Sequence, residues 1–304
     1  MMSGQFSHPQ KISMSLLVWI VLFTLLGGVL SVLAAAVFLL LPEATRTRAL
    51  QPMVSFAIGA LLGAALLAIL PHALQAPGVH DAHVITGTVL LGLLAFFLLE
   101  KLVLWRHCHA DECEAHGSAG AASAGTTAGM QEAGQRQEPL PGAAERHSPD
   151  AAHHRASAAG YLIVFGDGVH NFVDGVLIAA AFLTDLHLGI VTAIAVTAHE
   201  IPQEVGDFAI LLHSGFSRSK ALFYNVLSSL TTVVGGVLAY FSFALAQSLL
   251  PYVLAVAASS FIYIAVADLI PGLHKRLEPL VTLQQVLLIA CGVTFIYFTH
   301  AALH

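Results

Sequence analysis

Apolar residues run along this chain in stretches of twenty or more, broken by short polar connections and by one long polar segment. An α-helix needs about 20 such residues to cross the hydrocarbon of a bilayer. Eight stretches qualify, roughly Ser13 to Leu41, Met53 to Leu74, Val84 to Trp105, Gly160 to Leu183, Leu188 to His213, Ala221 to Leu250, Tyr252 to Ile270 and Leu280 to His304. Pro42, Pro52, Pro71, Pro251, Pro271 and Pro279 fall at or near their ends, where a residue that cannot continue a helix comfortably belongs. Pro202 sits inside the fifth stretch and leaves the carbonyl of Ala198 without its helical donor, beside His199. The pattern predicts an all-α integral membrane protein with eight transmembrane helices.

Composition agrees. Hydrophobic residues make up 57% of the chain and charged residues 10%, against about 25% charged in a soluble domain, and mean hydropathy is +0.80. The net charge of −6 comes with no basic cluster of the kind that binds nucleic acid. No nucleotide-binding motif is present, which disfavours a pump driven by ATP. Cys108 and Cys113 lie close together and Cys291 apart, which is not a disulfide framework. The first apolar run is too long for a signal-peptide core and lacks a small-residue cleavage site, so it reads as a retained span.

Lys and Arg fall between alternate spans: Arg46 and Arg48, then Arg106, Arg136, Arg146 and Arg155, then Arg218 and Lys220, then Lys275 and Arg276. Lys101 near the end of span three lies on the same side, and only Lys11 falls opposite. By the positive-inside rule both termini are extracytoplasmic. Residues 107–158 are rich in Gly, Ala, Ser, Glu and Gln with almost no large apolar side chain, so a disordered cytoplasmic loop is expected there. It separates spans one to three (1–106) from spans four to eight (159–304) within one transmembrane domain. No internal repeat is evident by eye, although transporters often carry inverted symmetry. The Ala-rich, short-loop style points to a bacterial inner membrane.

Two runs place ionisable groups where the chain should be most apolar. In span four Asp167, His170, Asn171 and Asp174 share one helical face, and His170 and Asp174, at i and i+4, can chelate a metal from a single helix. A structural alternative is a polar face that packs on another helix through hydrogen bonds. In span five His199 pairs with Gln203 and Glu200 with Glu204 at the same spacing, and Asp207 lies one turn beyond Gln203. Each carboxylate near the bilayer centre costs roughly 2.5–3.5 kcal/mol on insertion scales, and a divalent cation shared between the helices offsets that cost. The two faces together offer His170, Asp174, His199, Gln203 and Glu204 to one metal, with Asn171 and Glu200 at its edge for a second. Asp207 fits equally a helix-end acid that orients a ligand.

His199-Glu200-Ile201-Pro202-Gln203 also has the frame of the H-E-x-x-H zinc hydrolase motif. Gln is a poor substitute for the second imidazole and Pro is awkward in that helix. A membrane-embedded zinc-dependent hydrolase nevertheless stands as the alternative.

His170-Asn171-Phe172-Val173-Asp174-Gly175, together with His199 to Asp207 read as H-E-x-P-Q-E-x-G-D, resembles the paired signatures of the ZIP (Zrt- and Irt-like) family of divalent-metal transporters. The subfamily resembled is the one with H-E-x-P-[HQ]-E. Pro71-His72, and Phe261 to Ala265 with Asp268 and Pro271, are similar to the family too. The resemblance implies a ZIP-like bundle with its metal site between helices four and five, and a homodimer that moves Zn²⁺, or Fe²⁺, Mn²⁺ or Cd²⁺, into the cytoplasm. It places His170, Asp174, His199 and Gln203 at a primary site, with Asn171, Glu200 and Glu204 at a second or bridging the two. The chain departs from many relatives by Ala64 and Ala68 in span two, where they carry Asp and His, and by Thr232, near which some carry an acid.

Other donors are scattered. His107, Cys108, His109, Cys113 and His116 lie together after span three and are candidates for cytoplasmic metal capture, although incidental affinity of a polar loop explains them as well. Asp268 and His72 are candidates for flanking the pathway, along with His213, and Asn225 and Ser228 for facing the site. His300 and His304 read as surface histidines.

Overall fold

The structure is a computed structural model that describes residues 14–108, 149–243, 246–274 and 278–303. Eight helices cross the molecule among the described residues: α1 Met14–Phe38, α2 Glu43–Gln75, α3 Ala82–Cys108, α4 Pro149–Thr184, α5 Leu186–His213, α6 Arg218–Phe243, α7 Gln247–Leu273 and α8 Pro279–Leu303. Seven of them are long and apolar enough to span a membrane. The other, α5, has a comparable length but carries Glu200, Glu204 and Asp207, which lower its hydropathy. Because successive helices alternate in direction, the start of α1 and the end of α8 share one face, here the near face. The connection from α3 to α4 lies on the opposite, far face.

Two helices start well before their apolar runs. α2 begins at Glu43, so Pro52 lies inside it, and α4 begins at Pro149, eleven residues before Gly160. Proline suits a first helical position because the N–H it lacks would be unpaired there. The Ala-rich segment that follows favours helix. Residues 109–148, with His109, Cys113 and His116, lie outside the described residues, as does His304. His107 and Cys108 are described only as helical backbone.

Pro71 and Pro271 lie within α2 and α7, each just after a single π-helical segment, Ala64–Ile69 and Ile264–Leu269. A proline cannot donate to the carbonyl four residues back, and its ring crowds that oxygen. The wider π turn relieves the crowding by shifting the preceding bonds to five-residue spacing: the N–H of Leu70 donates to Ala65 and that of Ile270 to Ala265. The two segments run in opposite directions through the molecule and match position for position at an offset of 200, with Ala68 opposite Asp268. This is an inverted local correspondence that the sequence hides, because few of the paired residues are alike.

Packing divides the helices into two sets. α4 lies along α6, and α1 covers both. α2 lies along α8, and α3 along α7. The two lengthwise contacts of α4 with α6 and of α2 with α8 rest on backbone approach: a Cβ on Gly175 would overlap the carbonyl of Thr232, and one on Gly59 the carbonyl of Ile289. Small residues allow such contacts in membranes, where packing rather than water exclusion holds helices together. α5 touches members of both sets and sits at the centre. α3 and α8 present Leu90, Leu94, Leu98, Leu283, Leu287 and Phe298 outward, as lipid-facing helices do.

Candidate metal centre

The i, i+4 spacing in α4 and the His-Glu pair in α5 bring four side chains to one point between these helices. Donor atoms of His170, Asp174, His199 and Glu200 all lie within 4.8 Å of one another. Nε2 of His170 stands 3.4 Å from Nε2 of His199, 3.8 Å from Oδ2 of Asp174 and 3.3 Å from Oε1 of Glu200. Nε2 of His199 stands 3.3 Å from Oδ2 of Asp174 and 3.4 Å from Oε1 of Glu200. A tetrahedral Zn²⁺ with N and O donors at about 2.0–2.1 Å has donor-to-donor edges of about 3.3–3.4 Å. Four of these five edges fall within a tenth of an ångström of that range.

The environment asks for a cation. Asp174, His199 and Glu200 are 1% exposed, and none of the four carboxylate oxygens of Asp174 and Glu200 accepts a hydrogen bond from the protein. Buried carboxylates left in this way are costly unless an ion or a proton meets them. His199 is oriented from behind, its Nδ1 lying 3.1 Å from the carbonyl of Ala195. That carbonyl accepts a hydrogen bond from Nδ1–H and so leaves Nε2 to face the donor set, as is usual for a metal-binding imidazole.

The remaining candidates take other places. Asn171 donates Nδ2 to Oδ1 of Asp167 at 3.0 Å and accepts from the Thr232 hydroxyl at 2.7 Å. Glu204 accepts from the Ser229 hydroxyl at 2.8 Å. The Thr232 hydroxyl ties α6 to α4, and Ser229 ties α6 to α5. Ser229 was not singled out from sequence, although Asn225, Ser228, Ser229 and Thr232 form a polar stripe at three- and four-residue spacing on α6, all of them buried.

Gln203 is not among the four clustered donors. With Asp167, His170, Pro202, Asp207 and Asp268 it lines a cavity of about 400 Å³ on the far-face side of the centre. His170, 24% exposed, is the one member of the quartet that opens into this cavity. On the near-face side the centre meets apolar packing instead: Leu177, Ile178, Ala181, Ala195, Leu254 and Ala258 are all 2% exposed or less. His72 lies in the last turn of α2 and His213 in the last turn of α5, away from the quartet. α5 remains helical through Pro202. Glu200, the residue a metallohydrolase would use as its base, is itself one of the clustered donors.

The family profile described as "ZIP Zinc transporter" matches residues 14–300. Zinc transporter ZIP13 of Gallus gallus is 30% identical over 275 residues, 82% of this chain and 73% of that protein. Zinc transporter ZIP4 of Homo sapiens is 34% identical over 260 residues, 76% of this chain and 39% of that protein. Zinc transporter foi of Drosophila melanogaster is 41% identical over 134 residues, 43% of this chain and 18% of that protein. The chain thus spans less than half the length of the last two. All three are animal proteins, and the expectation of a bacterial membrane finds no support among them.

Proposed function

Because the chain belongs to the ZIP zinc transporter family and is an integral membrane protein rather than an enzyme, we propose that it carries Zn²⁺ into the cytoplasm through the centre between α4 and α5. The observation that carries this reading is the donor quartet: two imidazoles and two carboxylates at tetrahedral spacing, with carboxylate oxygens that no protein group satisfies. Nitrogen and oxygen donors of this kind suit Zn²⁺ and its neighbours, so Fe²⁺, Mn²⁺ and Cd²⁺ are the competing ions to test.

Charge and access together support this direction. Arg46, Arg48, Arg218 and Lys220 lie at the far face, which supports reading that face as cytoplasmic. The cavity that reaches His170 opens on the same side, while apolar side chains close the near-face side. This is the arrangement of a carrier caught facing inward. Rocking of α4, α6 and α1 against α2, α3, α7 and α8 around the centre would expose the ion to the other side. The acids in the cavity, Asp167, Asp207 and Asp268, then conduct the released ion toward the cytoplasm. A homodimer within the lipid bilayer completes the reading.

Purified protein in liposomes loaded with a zinc-sensitive dye tests it. Zinc should reach the dye in vesicles with the wild-type chain and fail to do so with Asp174→Ala. Equal dye response in both would remove the assignment of the centre, and no response in either would remove the transport reading.

A further inference from the structure

The α4–α6 pair carries a cavity separate from the one that reaches His170. About 370 Å³ in volume, it is lined by Phe165, Gly168 and Phe172 of α4 and by Leu227, Thr231 and Val234 of α6, with three neighbours. Phe165, Leu227 and Val234 are exposed, so it is a groove open to the lipid-facing surface. Gly168 leaves its floor empty, since a Cβ there would have room, 3.8 Å from Cβ of Ser228. The hydroxyls in the groove are spent on backbone. Thr231 donates to the carbonyl of Gly168 or Ser228, each at 2.6 Å, and Ser228 to that of Asn225 at 3.0 Å. What remains for a ligand is hydrocarbon. From Tyr224 to Val234 helix α6 rises about 15 Å, at about 1.5 Å per residue, half of a hydrocarbon core about 30 Å thick. That is the depth of one leaflet, the reach of an acyl chain and too short for a transmembrane helix.

The far-face end of the groove is capped by aromatic rings around a cation. Tyr161, one turn before Phe165 on the same face of α4, packs edge-on against Tyr224 at 5.5 Å between centroids. Phe216, in the turn between α5 and α6, closes the third side and lies so near α4 that a Cβ on Gly160 would overlap its ring. Nζ of Lys220 stands 4.3 Å from the centroid of Phe216, 5.3 Å from that of Tyr161 and 5.9 Å from that of Tyr224. Each lies within the about 6 Å over which a ring face attracts a cation. Val164 joins the two parts: it lines the groove and, like Tyr224, packs against the apolar cluster that holds Phe216. Lys220 and Arg218 are exposed, and no carboxylate among the described residues pairs with either. The rings hold the ammonium in place but leave its charge unneutralised.

We propose that this surface binds one anionic phospholipid of the far-face leaflet, with its phosphate at Lys220 and Arg218 and an acyl chain in the groove. Basic side chains at a membrane surface attract anionic headgroups, and tyrosine rings sit at headgroup level. A zwitterionic lipid fills the same groove but brings no net charge to meet the two cations. The site lies outside the metal centre and stands independently of the transport reading.

The experiment titrates the full-length protein, stripped of lipid in detergent, with phosphatidylglycerol or phosphatidylcholine, and reads bound lipid and its Kd by native mass spectrometry. Wild type should hold one phosphatidylglycerol about tenfold or more tighter than phosphatidylcholine. Equal affinities would overturn the proposal, and this comparison needs no variant. Arg218→Gln/Lys220→Gln should lose the preference while keeping its melting midpoint without lipid, and Lys220→Arg should keep the preference. An undiminished preference in the double variant would overturn the headgroup assignment. Leu227→Trp, which fills the groove, should weaken both lipids alike; unaltered binding of both would overturn the acyl-chain assignment. Excess inorganic phosphate should leave the lipid bound, and full displacement would overturn the lipid in favour of a free anion. A dimer that Leu227→Trp dissolves, with no lipid retained by wild type, would give the face to a second copy of the chain and overturn the proposal.

Discussion

Glu200 places Oε1 3.3 Å from Nε2 of His170 across the interface of α4 and α5, inside the donor quartet, while Gln203 one turn on lines the cavity instead. Replacing each by Ala should therefore give opposite results. Glu200→Ala should reduce zinc uptake by more than about 100-fold, beyond the about 10–100-fold that loss of a merely supporting contact costs. Gln203→Ala should stay within about threefold of wild type. Initial uptake rates in liposomes check both, and a larger loss from Gln203→Ala would reassign the fourth ligand.

The Ser229 hydroxyl holds Glu204 at 2.8 Å. Ser229→Ala should cost about 1 kcal/mol, the net worth of one hydrogen bond, and more because a buried carboxylate loses its donor. A lower melting midpoint in detergent, with zinc stoichiometry unchanged, is the expected result. Loss of a zinc equivalent would show that Glu204 helps to hold metal.

A side chain on Gly175 has nowhere to go, because its Cβ would overlap the Thr232 carbonyl, whereas Gly206 has open space around it. Gly175→Ala should destabilise the protein by about 1–3 kcal/mol through overpacking, and Gly206→Ala should not. Thermal unfolding of the two variants in the same detergent compares them directly.

One-sided access to the centre can be read by labelling. In a background free of native cysteine, Leu50→Cys and Ile163→Cys line the cavity and should react with a membrane-impermeant thiol reagent from the cytoplasmic side. Ile178→Cys, fully buried on the other side of the centre, should resist it from either side. Labelling of Leu50→Cys only from the outside would reverse the orientation.

The helices were largely legible because hydrophobic length alone reports a span. Even α5, whose Glu200, Glu204 and Asp207 lower its hydropathy, stood out as a span because these acids lie within an apolar run long enough to cross a bilayer. The π turns were not legible. They depend on how a proline ring meets the carbonyl before it, and the matching segments at 64 and 264 share little beyond the following proline. For the centre, i and i+4 spacing named His170, Asp174 and His199, but the choice between Glu200 and Gln203 turns on the rotation of α5 about its axis. That rotation is set by packing against several neighbours at once, which spacing within one helix cannot reveal. The hydroxyls on α6 were half visible: the stripe from Asn225 to Thr232 was there to find, but small hydroxylated residues in a membrane helix usually bond their own backbone.

The interlocked backbones of α4 and α6 have a further consequence. With Gly175 pressed on Thr232 and Gly235 on Phe172, neither helix can slide or turn past the other without prising carbonyls apart. The pair behaves as a single girder, and any stroke that carries His170 and Asp174 also carries Thr232. The plane of slippage must then lie along the other side of α4 and α5, where they meet α2 and α7. A disulfide across that seam should stall the cycle, and one between α4 and α6 should leave it running.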